Sequence, residues 1–333
     1  MIEILPGIYQ LQLSMESFPP GHTDDYLITG DDGNLLVDTG WDIPEALISL
    51  KEQLAQVSIG IKDISRIVLT HSHGDHAGLA SRLKQISGAQ IYLHKLEEEA
   101  LKSRFSQVGN LFKEYFLQQI DQLLRIHGMP DSKLTGGDKL FPDTTLPPFP
   151  DITLQGDETI KVGDFNLKVF WTPGHTPGHI SLYEPAKKLL FAGDLIPAAG
   201  TAHVGLHLQL SSNPFADYIN SLNMLKPLEV NLILPGHGYP FTNLSLRIDE
   251  IVRQTKQKNA EILETIANSN PKTAYQISVE MAPPNMNKTE SRKFYHWNKR
   301  SAVLEIIAYL ESMRFSGEVD KFSRDDLIYY RVI

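Results

Sequence analysis

Thr70-His71-Ser72-His73-Gly74-Asp75-His76-Ala77-Gly78, the stretch THSHGDHAG, decides how this chain is read. The apolar run Arg66 to Leu69 leads into it, and a helical pattern from Leu79 to Ile86 follows. Four potential metal ligands therefore sit on one strand-to-helix loop, where the backbone can turn His71 and His73 toward one ion and Asp75 and His76 toward another. Imidazole suits zinc and carboxylate tolerates harder ions, so the set fits a borderline divalent metal. The competing reading, a polar loop with coincidental histidines, needs a spacing that arises by chance in about one chain in a thousand.

Composition narrows the rest. With 333 residues and 41% hydrophobic content the chain can bury a large core, which excludes disorder and collagen-like classes. No cysteine is present, so disulfides, iron–sulfur clusters, thiol nucleophiles and Cys-ligated zinc are excluded, and a metal site must use His, Asp and Glu. Twelve histidines make that feasible. A net charge of -9 argues against holding nucleic acid chiefly by counterion release. No apolar run approaches the length of a membrane span, and the start of the chain has no secretory pattern, so the expected address is cytoplasmic and the expected partner is not a membrane.

Outward from the loop, short apolar runs predict strands at Ile8 to Leu13, Asp25 to Thr29, Asn34 to Val37 and Ile91 to His94, with a helix from Pro44 to Gln56. A second run of strands follows at Ile152 to Leu154, Thr159 to Val162, Phe165 to Trp171, Ile180 to Tyr183, Leu189 to Ala192 and Leu232 to Leu234, with a helix over Pro214 to Leu225. The order loosely repeats the first half. Between the halves, Leu96 to His127 turns helical, with Leu101, Phe105, Val108, Phe112, Tyr115, Phe116, Ile120, Leu123 and Leu124 spaced by three or four, and a Pro-rich linker follows. It reads as an inserted lid, residues 96–150. Past a connecting helix, 246–270, the segment 271–333 predicts helices near Thr273 to Met281 and Trp297 to Arg314, then a β-hairpin from Gly317 to Val319 and Leu327 to Val332. That order suggests a winged helix.

Three more candidate ligands stand at strand ends: His175 in TPGHTPGH, Asp194 in LLFAGD and His237 in ILPGHG. Ligands drawn from several strand ends suit a rigid site, and neighbouring glycines let backbones approach closely. Seven ligands suffice for two ions with an open position for water. The set HSHGDH, GHTPGH, FAGD and PGHG resembles the metallo-β-lactamase superfamily over residues 1–245. The resemblance implies an α/β fold, the αβ/βα sandwich, and a binuclear centre with His71, His73 and His175 on one metal, Asp75, His76 and His237 on the other, and Asp194 bridging. It also implies that Asp38 in LLVDTG steadies the His loop from behind. Two divalent ions are expected, zinc first, with iron or manganese as alternatives. The absence of a Cys ligand and the presence of Asp194 point to the glyoxalase II, lactonase and phosphodiesterase branches rather than to β-lactam hydrolysis.

The expected activity is hydrolysis of a small or mid-sized, partly hydrophobic thioester, ester or lactone through a metal-bridging hydroxide, with Asp75 orienting the water. The small-molecule substrate follows from the apolar insertion and the acidic main domain. Phe112, Phe116, His207 and Tyr239 are candidate substrate contacts. His22 reads as a solvated loop residue, His179 as one that supports the ligands from behind or packs, His203 as a weaker candidate for substrate contact than His207 in the loop after Asp194, and His94, His127 and His296 as structural. The tail resembles the winged-helix appendage of β-lactamase-like protein 2, so a phosphodiesterase or endoribonuclease is one alternative, and a mononuclear iron enzyme of the persulfide dioxygenase type is another. Residues 271–333 carry ten Lys/Arg against eight Asp/Glu, a balance that favours packing or homodimer contacts over nucleic acid.

Overall fold

The computed structural model describes residues 1–15, 21–105, 109–130, 148–205, 213–268, 271–282 and 292–333, with side chains for all of these except 104–117 and 292–298. Apolar residues that alternate or run continuously in the first half form one sheet: β1 (Ile2–Leu5), β2 (Ile8–Ser14), β3 (His22–Ile28), β4 (Asn34–Val37), β5 (Ile64–Val68), β6 (Gln90–His94) and β7 (Ile152–Leu154), neighbours in that order. Pairing is antiparallel from β1 to β4 and parallel from β4 to β7. The second half contributes β8 (Thr159–Val162), β9 (Phe165–Trp171), β10 (Ile180–Glu184), β11 (Leu189–Gly193) and β12 (Leu232–Pro235), in sheet order β12-β11-β10-β9-β8.

The central strands β4 and β11 are buried on two faces and read as continuous apolar runs, whereas β8 and β9 alternate buried and exposed residues. In β4, Leu35 and Val37 meet the second sheet while Leu36 faces the helices. Between the sheets these side chains pack with Ile8, Tyr26, Ile28 and Val68 against Val162, Leu167, Leu182 and Phe191. Outside the first sheet lie α1 (Pro44–Ala55) and α3 (Ala80–Ser87), held by Leu50, Leu54 and Leu83. The second sheet is covered by α6 (Pro214–Leu225) and α7 (Leu244–Ala267) through Leu222, Leu225, Ile248 and Ile251. Helix, sheet, sheet, helix is the αβ/βα sandwich.

The stretch expected to form the insertion begins with α4 (Lys95–Phe105) and α5 (Gly109–Ile126), and the linker after it lies largely outside the described residues. The tail follows the expected order: α8 (Ala274–Glu280), α9 (Arg292–Phe315), then β13 (Val319–Arg324) paired antiparallel with β14 (Leu327–Val332). Asp325 and Asp326, both at positive φ, make the tight two-residue turn between them. Val303, Ile307 and Leu310 of α9 share one apolar cluster with Leu124 of α5 and with α6 and α7, so the tail and the main body bury each other.

Three features differ from the sequence expectation. The first strand of the tail hairpin, expected over Gly317 to Val319, runs instead over Val319–Arg324. β1 precedes the first predicted strand; at four residues, and with two of them exposed, its apolar pattern is too short to stand out. His22, expected in a loop, opens β3, where its Nε2 lies 3.0 Å from Gln12 Nε2 on β2. No helix among the described residues is long and apolar enough to cross a membrane.

Candidate metal centre

The seven residues come together where strands end. His71, His73, Asp75 and His76 follow β5, with Asp75 and His76 inside the single turn α2 (Gly74–Ala77). His175 lies between β9 and β10, Asp194 just past β11 and His237 just past β12. β11 and β12 run parallel, and Gly236 donates its N–H to Gly193 O at 2.9 Å, which sets Asp194 beside His237. A Cβ on Gly236 would stand 2.6 Å from Asp194 Oδ1 and 2.7 Å from His76 Cε1, so only glycine allows that approach.

On one side, His71 Nε2 and His73 Nδ1 are 2.9 Å apart, and His175 Nε2 is 3.2 Å from the first and 3.0 Å from the second. His175 donates from Nδ1 to His203 O at 2.8 Å, so its Nε2 lone pair faces the other two rings. Burial, then the neighbouring rings of His76, His73 and His175, holds the pKa of His71 well below the ordinary range, so it is neutral.

On the other side, His76 Nε2 lies 3.3 Å from His237 Nε2, and Asp75 Oδ2 lies 3.8 Å from His76 Nε2 and 3.4 Å from His237 Nε2. Asp194 stands between the groups: its Oδ2 is 3.5 Å from His175 and 3.6 Å from His237, and its Oδ1 is 3.4 Å from His76. That Oδ1 is buried without a hydrogen bond, as is Nδ1 of His237.

These donors fit a divalent cation. A tetrahedron with nitrogen bonds of 2.0–2.1 Å has edges of about 3.3 Å, close to the His71, His73 and His175 triangle. Among the described residues three groups have donor atoms within 4.8 Å of one another and could hold metal: His71, His73 and His175; His71, His76 and Asp194; and Asp75, His76 and His237.

A surrounding frame fixes the ligands. Asp38, strained at φ 59, accepts from Thr70 N and Thr70 Oγ1 at 2.7 Å and from His76 Nδ1 at 2.9 Å. His179, fully buried, accepts from Asp194 N at Nε2 (3.1 Å) with its Nδ1 2.8 Å from Thr172 Oγ1. Burial and the neighbouring His175 lower its pKa to about 3, consistent with a neutral acceptor. The loop after Asp194 is gripped by Tyr218, whose hydroxyl donates to Leu195 O at 3.1 Å, and by Arg247, whose guanidinium donates to Pro197 O at 2.9 Å and to Gly200 O. From the tail, Ser301 Oγ lies 3.1 Å from His203 Nε2. Sequence reasoning missed Tyr218, Arg247 and Glu97, whose polar ends are the only hint; Glu97 accepts from both ligand loops of the first group. Of the candidate substrate contacts, Tyr239 is 75% exposed just past His237. His207 and the side chains of Phe112 and Phe116 lie outside the described residues.

Without an ion the histidines on the second side are protonated partners of the carboxylates. Burial alone would lower His76 and His237, but Asp194 and Asp75 outweigh it, raising His76 well above its ordinary range and His237 to about 9. In metal-stripped protein this stabilisation is complete below the unfolded value of about 6.5 and is lost as pH rises through about 9. Stripped protein should therefore melt lower at about pH 9 than at about pH 6.5, while metal uptake near pH 7 should expel roughly two protons. Calorimetric titration with zinc in buffers of different ionisation enthalpy measures the second quantity; uptake with no proton release would contradict the assignment of His76 and His237.

Comparison with known proteins agrees with this geometry. Residues 18–237 match the family described as the metallo-beta-lactamase superfamily. The probable metallo-hydrolase YqjP of Bacillus subtilis is 28% identical over 309 residues, which span 88% of this chain and 92% of that protein. Hydroxyacylglutathione hydrolase GloC of Haemophilus influenzae is 28% identical across 64% of this chain and 84% of its own length. A crystal structure of a metallo-beta-lactamase family protein from Thermus thermophilus superposes with a TM-score of 0.84 at 27% identity, covering 99% of this chain and 100% of that one. A frame and a ligand-bearing loop set of this kind, matched over the region that carries both, place the chain in the metallo-beta-lactamase superfamily of metal-dependent hydrolases.

Proposed function

We propose that the protein is a cytoplasmic, binuclear, zinc-dependent hydrolase of a small or mid-sized, partly hydrophobic thioester, ester or lactone. The observation that carries this reading is Asp194, which offers one carboxylate to histidines of both groups at 3.4–3.6 Å. In the proposed assignment His71, His73 and His175 hold one ion, Asp75, His76 and His237 the other, and Asp194 both. When bound, divalent ions supply Lewis acidity to an oxygen that gains charge and lower the pKa of water toward about 7. Asp75, ionised and partly exposed, would orient that water and hand its proton on to the leaving group. Asp38, by accepting from His76 Nδ1, keeps the Nε2 lone pair turned inward.

The substrate class rests on charge and on likeness. A chain of net charge -9 repels a polyanion, and the likeness to a hydroxyacylglutathione hydrolase supports a thioester. Residues 96–150 serve in this reading as the lid, with Phe112, Phe116, His207 and Tyr239 touching substrate, over a catalytic body of residues 1–245. The connecting helix 246–270 then leads to a winged-helix-like unit, residues 271–333, used for packing or homodimer contacts.

Metal analysis paired with a panel of thioesters, lactones, aryl esters and bis-nitrophenyl phosphate tests the reading. Near two zinc ions per chain and fastest turnover of a thioester or lactone are expected. One iron with oxygen consumption would overturn the hydrolase mechanism, and preferential cleavage of the phosphodiester would overturn the substrate class.

A further inference from the structure

Glu97 sits in the first turn of α4, in a run of three glutamates, yet it is only 2% exposed. A buried carboxylate is costly unless its oxygens are satisfied, and here each is. Oε2 accepts from Ser72 N at 3.0 Å and from Ser72 Oγ at 2.5 Å, and Oε1 accepts from Gly178 N at 2.9 Å. Ser72 is the residue between His71 and His73; Gly178 lies on the turn that carries His175. One side chain thus ties together the two loops that supply the first ligand group.

The approach is built in. A Cβ on Gly178 would fall 2.7 Å from both Glu97 Cγ and Glu97 N, so the glycine is what lets the helix start against that turn. Immediately before α4, the ring of His94 stacks on Trp171 at 5.5 Å and 9°, and Trp171 Nε1 donates to Pro177 O at 2.8 Å. The same β6–α4 junction therefore holds the His175 turn by a second, independent route.

Resting on the metal-centre reading above, we propose that Glu97 is a positioning residue for the His71, His73 and His175 group, and that the inserted helices α4 and α5 act on metal binding through it. Holding Ser72 by both its N–H and its hydroxyl turns the flanking histidines together toward the opposite side. Holding Gly178 with the other oxygen sets the distance of His175 from that pair. Glutamine cannot do both, because its amide nitrogen donates where the carboxylate accepted.

The test compares wild type, Glu97→Gln, Ser72→Ala and Glu98→Gln. Glu98 is a control in the same helical turn whose carboxylate accepts from Thr153 Oγ1 at 2.8 Å. Competition with a chromophoric chelator reads zinc affinity, and the visible bands of the cobalt(II) form read ligand geometry. Glu97→Gln should weaken one zinc ion by about tenfold to a hundredfold and shift the cobalt bands, leaving the second ion and the Glu98→Gln control as wild type. Ser72→Ala, which deletes a single donor, should weaken the same ion by about threefold, and it decides the matter if Glu97→Gln does not fold. Wild-type affinity and an unshifted cobalt spectrum in either folded variant would overturn the proposal. Wild type that takes up no zinc would instead overturn the metal centre itself, so the two failures are distinguishable.

Discussion

Asp194→Ala should yield a folded protein that no longer retains either ion through gel filtration and whose kcat/KM is lower by at least about a thousandfold, a loss of roughly 4 kcal/mol of transition-state stabilisation. Its carboxylate meets both groups: the two oxygens lie within 3.6 Å of His175 on one side and of His76 and His237 on the other. Burial on its own would raise its pKa, and His76 and His237 overcome that to hold it well below the usual carboxylate range, so it carries a full negative charge against the positive charge the site collects. Alanine removes that charge and leaves the histidines of both groups facing one another.

The fold should survive because the strand that delivers Asp194 is held elsewhere. β11 lies between β10 and β12, and Phe191 meets Tyr26 edge-on across the two sheets at 5.4 Å. The backbone N–H of residue 194, which donates to His179, is untouched by the substitution. Metal content by elemental analysis, with circular dichroism as the check on folding, decides the matter. A folded variant that keeps two ions and turns over at more than about a tenth of the wild-type rate would sink the bridging assignment.

The ligand loops were legible because each is local: an apolar strand, then His or Asp, then glycine. Such a pattern records a strand end that must turn a side chain inward and let another backbone come close, and both demands fall on adjacent residues. The frame around them was not legible for the opposite reason. Glu97 stands beside Glu98 and Glu99, and nothing in that run tells which one is turned inward; its acceptor role is defined by the Ser72 hydroxyl and by backbone N–H groups at Ser72 and Gly178, which every residue but proline carries. Arg247 looks like the polar face of an amphipathic helix, yet it is 6% exposed because two loop carbonyls, those of Pro197 and Gly200, take its protons.

The same contrast runs through the fold. Strands buried on both faces, such as β4 and β11, announce themselves as apolar runs, whereas β1 pairs at an edge over four residues and has no such signature. The apolar spacing of α9 marks a helix, but it does not say that Val303, Ile307 and Leu310 share a core with α6 and α7. Periodicity reports that a face is buried and is silent on what covers it.

Asp75→Asn is expected to lower kcat by at least about a hundredfold with a much smaller change in KM and no loss of cooperative folding. The side chain is the same size, so packing is preserved, but the amide can neither carry the charge nor take a proton from water. Among the described residues Asp75 meets His76 and His237 at the mouth of the site and is 20% exposed, so it supports the centre and faces its open side. Burial would raise its pKa, and His76 and His237 outweigh that and bring it to about 2. It is therefore ionised throughout the range in which activity can be assayed. That gives the prediction a second edge: the loss in kcat should be the same factor at every pH from about 6 to about 9, because no part of the profile reports the ionisation of Asp75. A steady-state profile of the variant beside wild type reads both quantities. If the folded variant turns over within about threefold of wild type, the water-orienting role belongs to another group, and if the deficit disappears toward one end of the profile, a titrating partner rather than Asp75 controls the step.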